Sequence, residues 1–278
     1  MRGVMTTPVR RMLRSWRYPI LETRNRVLGA RVKRRNQRFQ RDEACRLREL
    51  SGNARARVLV VIPTFKRPGG LVKAVQSALS QSYQDFVVVV VDDGGGLPEL
   101  PQDSRLVAVS LSRNTATVGL VRNVGISLAD SEFIAFLDDD NVWTPDHVAT
   151  AIAALDDDPA LAAVYTSVRR LWPDGSELDV LDEDFDRRKL RQGSFVDVNS
   201  IVVRRASNRG FSVLPRTKTT YPEEDWEYVW RLSRRGHVAH VPEVTVLYAV
   251  NPDSYYTTWL DRQGRELRSA APAAPEET

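Results

Sequence analysis

Apolar residues in the middle of this chain come in short, dense blocks that stop abruptly at turn-forming or acidic residues. Val58–Ile62 is a β-branched run broken by Pro63-Thr64-Phe65-Lys66-Arg67-Pro68-Gly69-Gly70. Phe86–Val91 ends in Asp92-Asp93-Gly94-Gly95-Gly96, and Phe133–Leu137 ends in Asp138-Asp139-Asp140-Asn141. Blocks of this kind predict strands buried on both faces. Leu106–Leu111 predicts another. Between the strands the period changes. Leu71, Val72, Val75, Ala78 and Leu79 recur at helical spacing, Val118–Leu128 predicts a helix, and a further helix begins at Pro145 and runs to about Leu155. Alternating strands and helices imply right-handed crossovers and a parallel sheet. The strand ends at Ile62, Val91 and Leu137 then lie along one edge, so loops far apart in sequence converge where open α/β sheets bind ligands.

The second half is less regular. Leu161–Val168 predicts a strand, and Trp172-Pro173-Asp174-Gly175-Ser176 is a turn that a hairpin can follow. Residues 179–193 are highly charged and are expected to form a mobile loop. Phe195–Arg204 predicts a strand beneath the site. Glu223–Arg235 reads as a helix with Trp226, Val229, Trp230 and Leu232 inward, and Val238–Val241 and Val244–Val250 complete the sheet. The Ala-, Pro- and Glu-rich end of the chain is expected to be flexible.

Composition narrows the class. At 278 residues and 42% hydrophobic the chain can bury a real core. It has no run approaching the roughly 18–20 apolar residues of a membrane span, and no apolar block of a secretory leader is expected at its start. The single cysteine, Cys45, excludes an internal disulfide framework and fits a reducing, cytoplasmic setting. Charge is divided unevenly. Residues 1–57 hold 17 Lys+Arg and 4 Asp+Glu, whereas the remainder holds 23 and 32, so a basic arm precedes an acidic body. The arm includes Arg10, Arg11, Arg14, Arg17, Arg31, Lys33, Arg34, Arg35 and Arg38, interspersed with apolar residues such as Trp16 and Val27. It can lie on an anionic membrane surface, hold a polyanion, or pack as a solvated helix on its own domain. No nucleic-acid motif accompanies the charge, so a nucleic-acid partner is not expected.

The acidic triplet is the most informative chemistry. A buried strand cannot continue through three carboxylates, because burying one unpaired costs several kcal/mol or more. The chain must surface at Asp138, Asp139 and Asp140 with acids massed at a strand tip. Crowded carboxylates repel unless a cation sits among them, and hard ions such as Mg2+ or Mn2+ take oxygen ligands. A solvated acidic turn is the plain alternative. Asp92-Asp93-Gly94 likewise reads as an ordinary tight turn or as an acceptor for a ligand N–H. Glu223, Glu224 and Asp225 read either as favourable helix-start charge or as an acidic site.

Five segments in order then resemble a known family: Ile62–Pro68, Val90–Gly95, Arg122–Ile126, Phe136–Trp143 and Glu224–Leu232. The chain resembles a family-2 glycosyltransferase of the GT-A fold over roughly residues 57–250. That resemblance implies an α/β fold: a single GT-A-type domain with a mostly parallel, Rossmann-like central sheet flanked by helices, preceded by a basic helical arm. The boundaries that follow are an arm at 1–56, a domain at 57–255 with a nucleotide-sugar half (57–145) and an acceptor and catalytic half (146–255), and a tail at 256–278. It implies a nucleoside-diphosphate sugar donor, with uridine the commonest base, a hydroxyl-bearing acceptor, and Mn2+ or Mg2+ as cofactor. Pro63, Thr64, Phe65, Arg67, Asp92 and Asp93 are assigned by resemblance to the nucleoside. Arg122, Asn123, Asp138 and Asp139 are assigned to the nucleotide-sugar and Asp140, with Asp138, to the metal. Asp225 is assigned as general base in an inverting transfer, with Glu224 as acceptor ligand or second candidate. One departure from the family is that Ala249 and Asn251 stand where an arginine and a histidine are frequent. His147, His237 and His240 read as packing or surface residues. The rival readings are a sugar-phosphate nucleotidyltransferase, which Lys66-Arg67-Pro68-Gly69-Gly70 faintly fits, and a non-catalytic protein of the same fold.

Overall fold

A computed structural model describes residues 23–25, 27–52, 54–215 and 223–250. Residues 1–22 and 251–278, with Asn251 and the expected tail, lie outside the described residues.

The chain enters as a long helix, α1 (Ala30–Leu50), and a short strand, β1 (Ala54–Arg55). The alternating half follows: β2 (Val58–Thr64), α2 (Pro68–Leu79), β3 (Phe86–Asp92), β4 (Leu106–Ser110), α3 (Val118–Leu128), β5 (Ala129–Asp130) and β6 (Phe133–Phe136). Every residue of β2, β3 and β6 is buried, which is why these strands read as unbroken apolar runs. Pro68 starts α2, where its missing N–H loses nothing. Leu71, Ala74, Val75 and Ala78 form its buried stripe.

The later elements are β7 (Val142–Trp143), α4 (His147–Asp157), β8 (Leu161–Leu171), β9 (Glu177–Leu181), α5 (Arg187–Leu190), β10 (Ile201–Arg204), α6 (Glu224–Leu232) and β11 (His237–Ala249). Among the described residues one sheet runs β4-β3-β2-β6-β10-β8-β11-β7, with β9 paired to β8 at the side. Its first four strands are parallel. Beyond them the sheet is mixed, since β10 runs antiparallel to both β6 and β8 while β11 is parallel to β8. Two apolar cores fill its two faces, one beneath α3 and α6 and the other beneath α2 and α4.

Three expectations change. Residues 179–193 are not a free loop. Glu177–Leu181 alternates polar and apolar residues and forms β9, fastened by Arg170 to Asp179 and by Arg169 to Glu177 at 2.9 Å. Leu190 at the end of α5 is buried, and its carbonyl accepts from the Trp226 indole at 2.5 Å. The strand expected from Phe195 begins only at Ile201, because the Asp197 carboxylate accepts from the Asn199 N–H and caps a 3-10 turn over Val198–Ser200. The two last strands are one, β11, whose register slips between Val241 and Val244 around Pro242. A proline has no ladder donor, so the chain bulges rather than ends.

The helix of the basic arm docks on α3. Glu43 receives the Ser112 N–H and hydroxyl at 2.9 and 2.8 Å, the Asn36 amide donates to Val213 O at 2.8 Å, and Leu47 enters the core beneath. Cys45 is exposed.

Candidate active site

The carboxyl ends of β2, β3 and β6 open into a cavity of about 590 Å3 that also takes in the start of α6. Asp93, Asp138, Asp139, Asp140, Glu224 and Asp225 all line it, with Pro63, Thr64, Phe65, Arg67 and Arg122. Carboxylates from three separate segments thus share one space.

At one end, Asp93 follows β3 and accepts the Thr115 and Ala116 N–H groups at 2.8 and 3.0 Å. Burial nevertheless pushes its carboxyl above the usual range, outweighing these bonds. Ala116 adopts φ +50 in presenting its N–H, a costly geometry for a residue with a Cβ. Asp92 is different. Its carboxylate is fully buried and accepts the Gly95 and Gly96 N–H groups at 2.8–3.0 Å, so it braces its own turn and does not line the cavity. The expected pair therefore separates, because successive side chains on a strand point to opposite faces.

In the middle, the three acids after β6 have distinct partners. The Thr64 hydroxyl donates to Asp139 at 2.7 Å, and Arg67 donates to Asp139 at 3.2 Å and to Asp140 at 2.5 Å. Asp140 stays exposed at the rim, where desolvation, then repulsion by Asp138, raises its carboxyl against the pull of Arg67. Asp138 is fixed by Asn199, whose amide oxygen accepts the Asp138 N–H at 2.6 Å. Asn199 in turn donates to Asp197 at 2.7 Å and receives the Trp143 indole on its carbonyl at 2.8 Å. Asp197 is pushed up to about 6, chiefly by burial and then by the charges of Asp138 and Asp225 against the Asn199 bonds. Neither Asp197 nor Asn199 was expected here. The signal was the alternation Val196-Asp197-Val198-Asn199, which sets two polar side chains into an apolar run.

Arg122, wholly buried on α3, joins the parts. It donates to Asp138 at 2.6 Å and to Asp225 at 2.7 Å, and lies 5.0 Å from the Phe211 ring centre. Asn123 turns the other way. It donates to Gln40 and Phe211 O and accepts the Phe211 N–H, so it ties α3 to α1 and the 211–214 segment outside this cavity. Neighbours on a helix are about 100° apart, so only one of the two can face the site.

At the far end, Asp225 opens α6 with its side chain 38% exposed. Desolvation pushes it up to about 6, against Arg122 and helped by the charges of Glu224 and Asp138. A carboxyl raised this far can take up and release a proton near pH 6.

The residues fit a divalent ion in one particular way. The donors are hard carboxylate oxygens, and Asp140 carries repulsion that a cation would relieve. Among the described residues no group of three or more His, Cys, Asp and Glu closes around a metal. An ion here would therefore share its ligands with a bound anion and water, as Mg2+ and Mn2+ do. The histidines are elsewhere. His147 is fully buried, held down to about 3 by burial, and bonds Thr245 at 2.7 Å. His240 packs on Tyr165 and bonds Ser167 at 3.0 Å, and His237 is exposed. Ala249 donates its N–H to Asn141 at 3.0 Å. In the Lys66-Arg67 loop, Lys66 lies over the Phe65 ring and Arg67 is paired with Asp139 and Asp140.

A mixed sheet with an acidic cavity at its carboxyl edge is the architecture of the GT-A fold. The chain belongs to glycosyl transferase family 2, whose model matches residues 59–213, more than half its length. It is 38% identical over 109 residues to the succinoglycan biosynthesis protein ExoW of Rhizobium meliloti (strain 1021), covering 36% of this chain and 34% of that protein. It is 24% identical over 207 residues to the uncharacterized glycosyltransferase YwdF of Bacillus subtilis (strain 168), covering 69% and 74%. Among solved structures, S. aureus TarS 1-349 in complex with UDP-GlcNAc superposes with a TM-score of 0.53 at 15% identity, over 73% of this chain and 60% of that one. The chain thus spans about a third of the length of the first curated relatives it matches. Among the described residues no helix is long and apolar enough to cross a membrane.

Proposed function

We propose that this protein is a metal-dependent, inverting glycosyltransferase that moves a hexose from a uridine diphosphate sugar to an acceptor hydroxyl. The observation that carries the reading is Arg122, which links Asp138 of the acidic strand end to Asp225 of α6 within one cavity. The donor half and the acceptor half of the proposed reaction are thereby held in fixed relation.

In this reading the Asp93 carboxylate, braced by the Thr115 and Ala116 amides, accepts an imide N–H of the base, with Pro63, Thr64 and Phe65 beside the nucleoside. Asp140 and Asp138 would hold Mn2+ or Mg2+, which supplies charge neutralisation for the departing diphosphate. Asp225 removes the proton from the acceptor hydroxyl as its oxygen bonds to the anomeric carbon. The bond from that carbon to the diphosphate breaks on the opposite face, so configuration inverts. Asp225 keeps the proton, the nucleoside diphosphate keeps the electron pair, and no covalent sugar–protein intermediate is needed. Glu224, one position away, orients the acceptor.

The donor assignment draws support from TarS, described in complexes with UDP and with UDP-GlcNAc. Relatives named for succinoglycan and colanic acid biosynthesis, and as chondroitin and hyaluronan synthases, support a growing glycan as acceptor. A cytoplasmic setting is part of this reading, and the lone cysteine is in keeping with it.

The test is a melting-temperature panel of nucleoside diphosphates with and without Mn2+, followed by product analysis with the matching donor. A nucleotide at about 100 times its dissociation constant stabilises the fold by about 2.7 kcal/mol. The expected result is a uridine-selective, metal-dependent shift that Asp140→Ala abolishes. Equal shifts without metal, or with every base, would overturn the donor assignment.

A further inference from the structure

The docked helix α1 has an outward face that the reaction does not use. Asn36, Glu43 and Leu47 point into the domain. Opposite them Arg31, Arg34, Arg35, Arg38 and Arg41 follow at three- and four-residue steps, all exposed, forming one stripe. Arg31, Arg34, Arg35 and Arg38 make no ion pair with any described residue. The stripe continues a turn earlier, because Gly29 N bonds Asn25 O and Lys33 N bonds Gly29 O at helical spacing. There Arg24 is exposed, beside Val27 at 70% and Leu28 at 55% exposure.

Guanidinium groups left without an ion pair among the described residues repel one another and call for an anionic partner surface. The exposed Val27 and Leu28 decide which kind. Nucleic acid contributes phosphates to such a stripe but gives no return for aliphatic side chains, which it meets with aromatic stacking. A bilayer offers anionic headgroups beside an acyl boundary that buries valine and leucine. The acidic body beyond residue 57 turns the basic face toward an anionic surface and itself away from it.

We infer that this face of α1 docks the protein on an anionic lipid bilayer, with the arginines at headgroup phosphates and Val27 and Leu28 in the headgroup boundary. The same helix braces the wall of the cavity. Glu43 holds Ser112, and Phe39 carries Arg113 on its ring at 4.2 Å, two and one positions before cavity residue Asn114. A docked α1 therefore holds the cavity near the lipid surface, where a membrane-borne acceptor would be met. The inference is independent of the proposed chemistry, since it needs neither donor nor turnover.

Sedimentation of the full chain with vesicles tests it. Binding is expected to phosphatidylcholine vesicles containing phosphatidylglycerol, to be weak with phosphatidylcholine alone, and to fall as salt rises. The variant Arg31→Gln/Arg34→Gln/Arg35→Gln/Arg38→Gln should lose roughly several hundredfold in affinity, at roughly fivefold per neutralised arginine, with an unchanged melting temperature. Val27→Ser/Leu28→Ser should weaken binding without altering its salt dependence. Equal binding to neutral vesicles, undiminished binding by the quadruple variant, or binding of RNA in place of vesicles would each overturn it.

Discussion

Arg122 donates to Asp138 at 2.6 Å and to Asp225, 103 positions away in sequence, at 2.7 Å. A buried guanidinium with two carboxylates is held by its planar fork, which a lysine ammonium cannot reproduce. Arg122→Ala leaves Asp138 and Asp225 facing each other with the nearest compensating charge removed. The expected stability loss is about 3 kcal/mol, the low end for a broken buried pair because both carboxylates are part-exposed. Arg122→Lys should retain part of the stability, with turnover well below that of the parent. Urea unfolding and single-turnover rates check both. An Arg122→Lys enzyme with parental turnover would mean that the fork does not position the base.

As the proposed base, Asp225 would give the reaction a pH signature. An ordinary aspartate ionises near 4, whereas this one is pushed up to about 6 by burial. The base works only when ionised, so turnover should rise about tenfold per unit up to about pH 6 and level off above it. Asp225→Asn should lower turnover by about 10²–10⁴ and leave nucleotide binding unchanged. A flat profile from pH 5 to 8 in the parent, or near-parental turnover in Asp225→Asn, would remove Asp225 from the role.

Asp197 carries the same shift without the same duty. Its folded carboxyl sits at about 6, above an unfolded value near 4, so the stability it contributes is complete below pH 4 and is lost as pH rises through 6. At neutral pH it is an ionised group repelled by Asp138 and Asp225. A single carboxylate oxygen accepts both Asn199 bonds, and an asparagine oxygen can do the same. Asp197→Asn should therefore be more stable than the parent at pH 7.5 by about 1–2 kcal/mol, with the difference closing by pH 4. Denaturant midpoints at the two pH values measure it. Destabilisation at pH 7.5 would show that the second carboxylate oxygen has a role of its own.

The sheet and the cavity were legible because strand ends announce themselves. Val91, Leu137 and Ile62 each give way to turn-forming or acidic residues that break the apolar run, and a parallel sheet brings such ends together whatever their separation. What could not be read was which of two adjacent polar residues faces the cavity. Asp92 and Asp93 are alike in sequence, and the pleat sends one to the turn and the other to the site. Arg122 and Asn123 are divided by the helical step. The charge density of residues 179–193 concealed β9, because its ion pairs to β8 depend on a hairpin that composition does not register. Asp197 and Asn199 were concealed for the opposite reason, as isolated polar residues whose partner, Asp138, comes from another strand.

Gly69 and Gly70 pose the same problem in its sharpest form, since the two are indistinguishable in sequence and occupy one helical turn. A Cβ on Gly69 would meet nothing within 4 Å, whereas one on Gly70 would lie 2.3 Å from the Asp139 carbonyl oxygen and 3.7 Å from Asp140 Cα. Those neighbours are backbone, so the acidic strand end itself would have to move. Gly69→Ala should stabilise α2 by about 0.5 kcal/mol through lost unfolded-state freedom. Gly70→Ala should cost about 1–3 kcal/mol from overpacking, and the displacement of Asp139 and Asp140 should weaken metal-dependent nucleotide binding more than it lowers the melting temperature. The pair separates contact from helix propensity, because the two substitutions are chemically identical. If both alanine variants bound nucleotide and Mn2+ alike, the close approach of α2 to the acidic loop would have no part in holding the site.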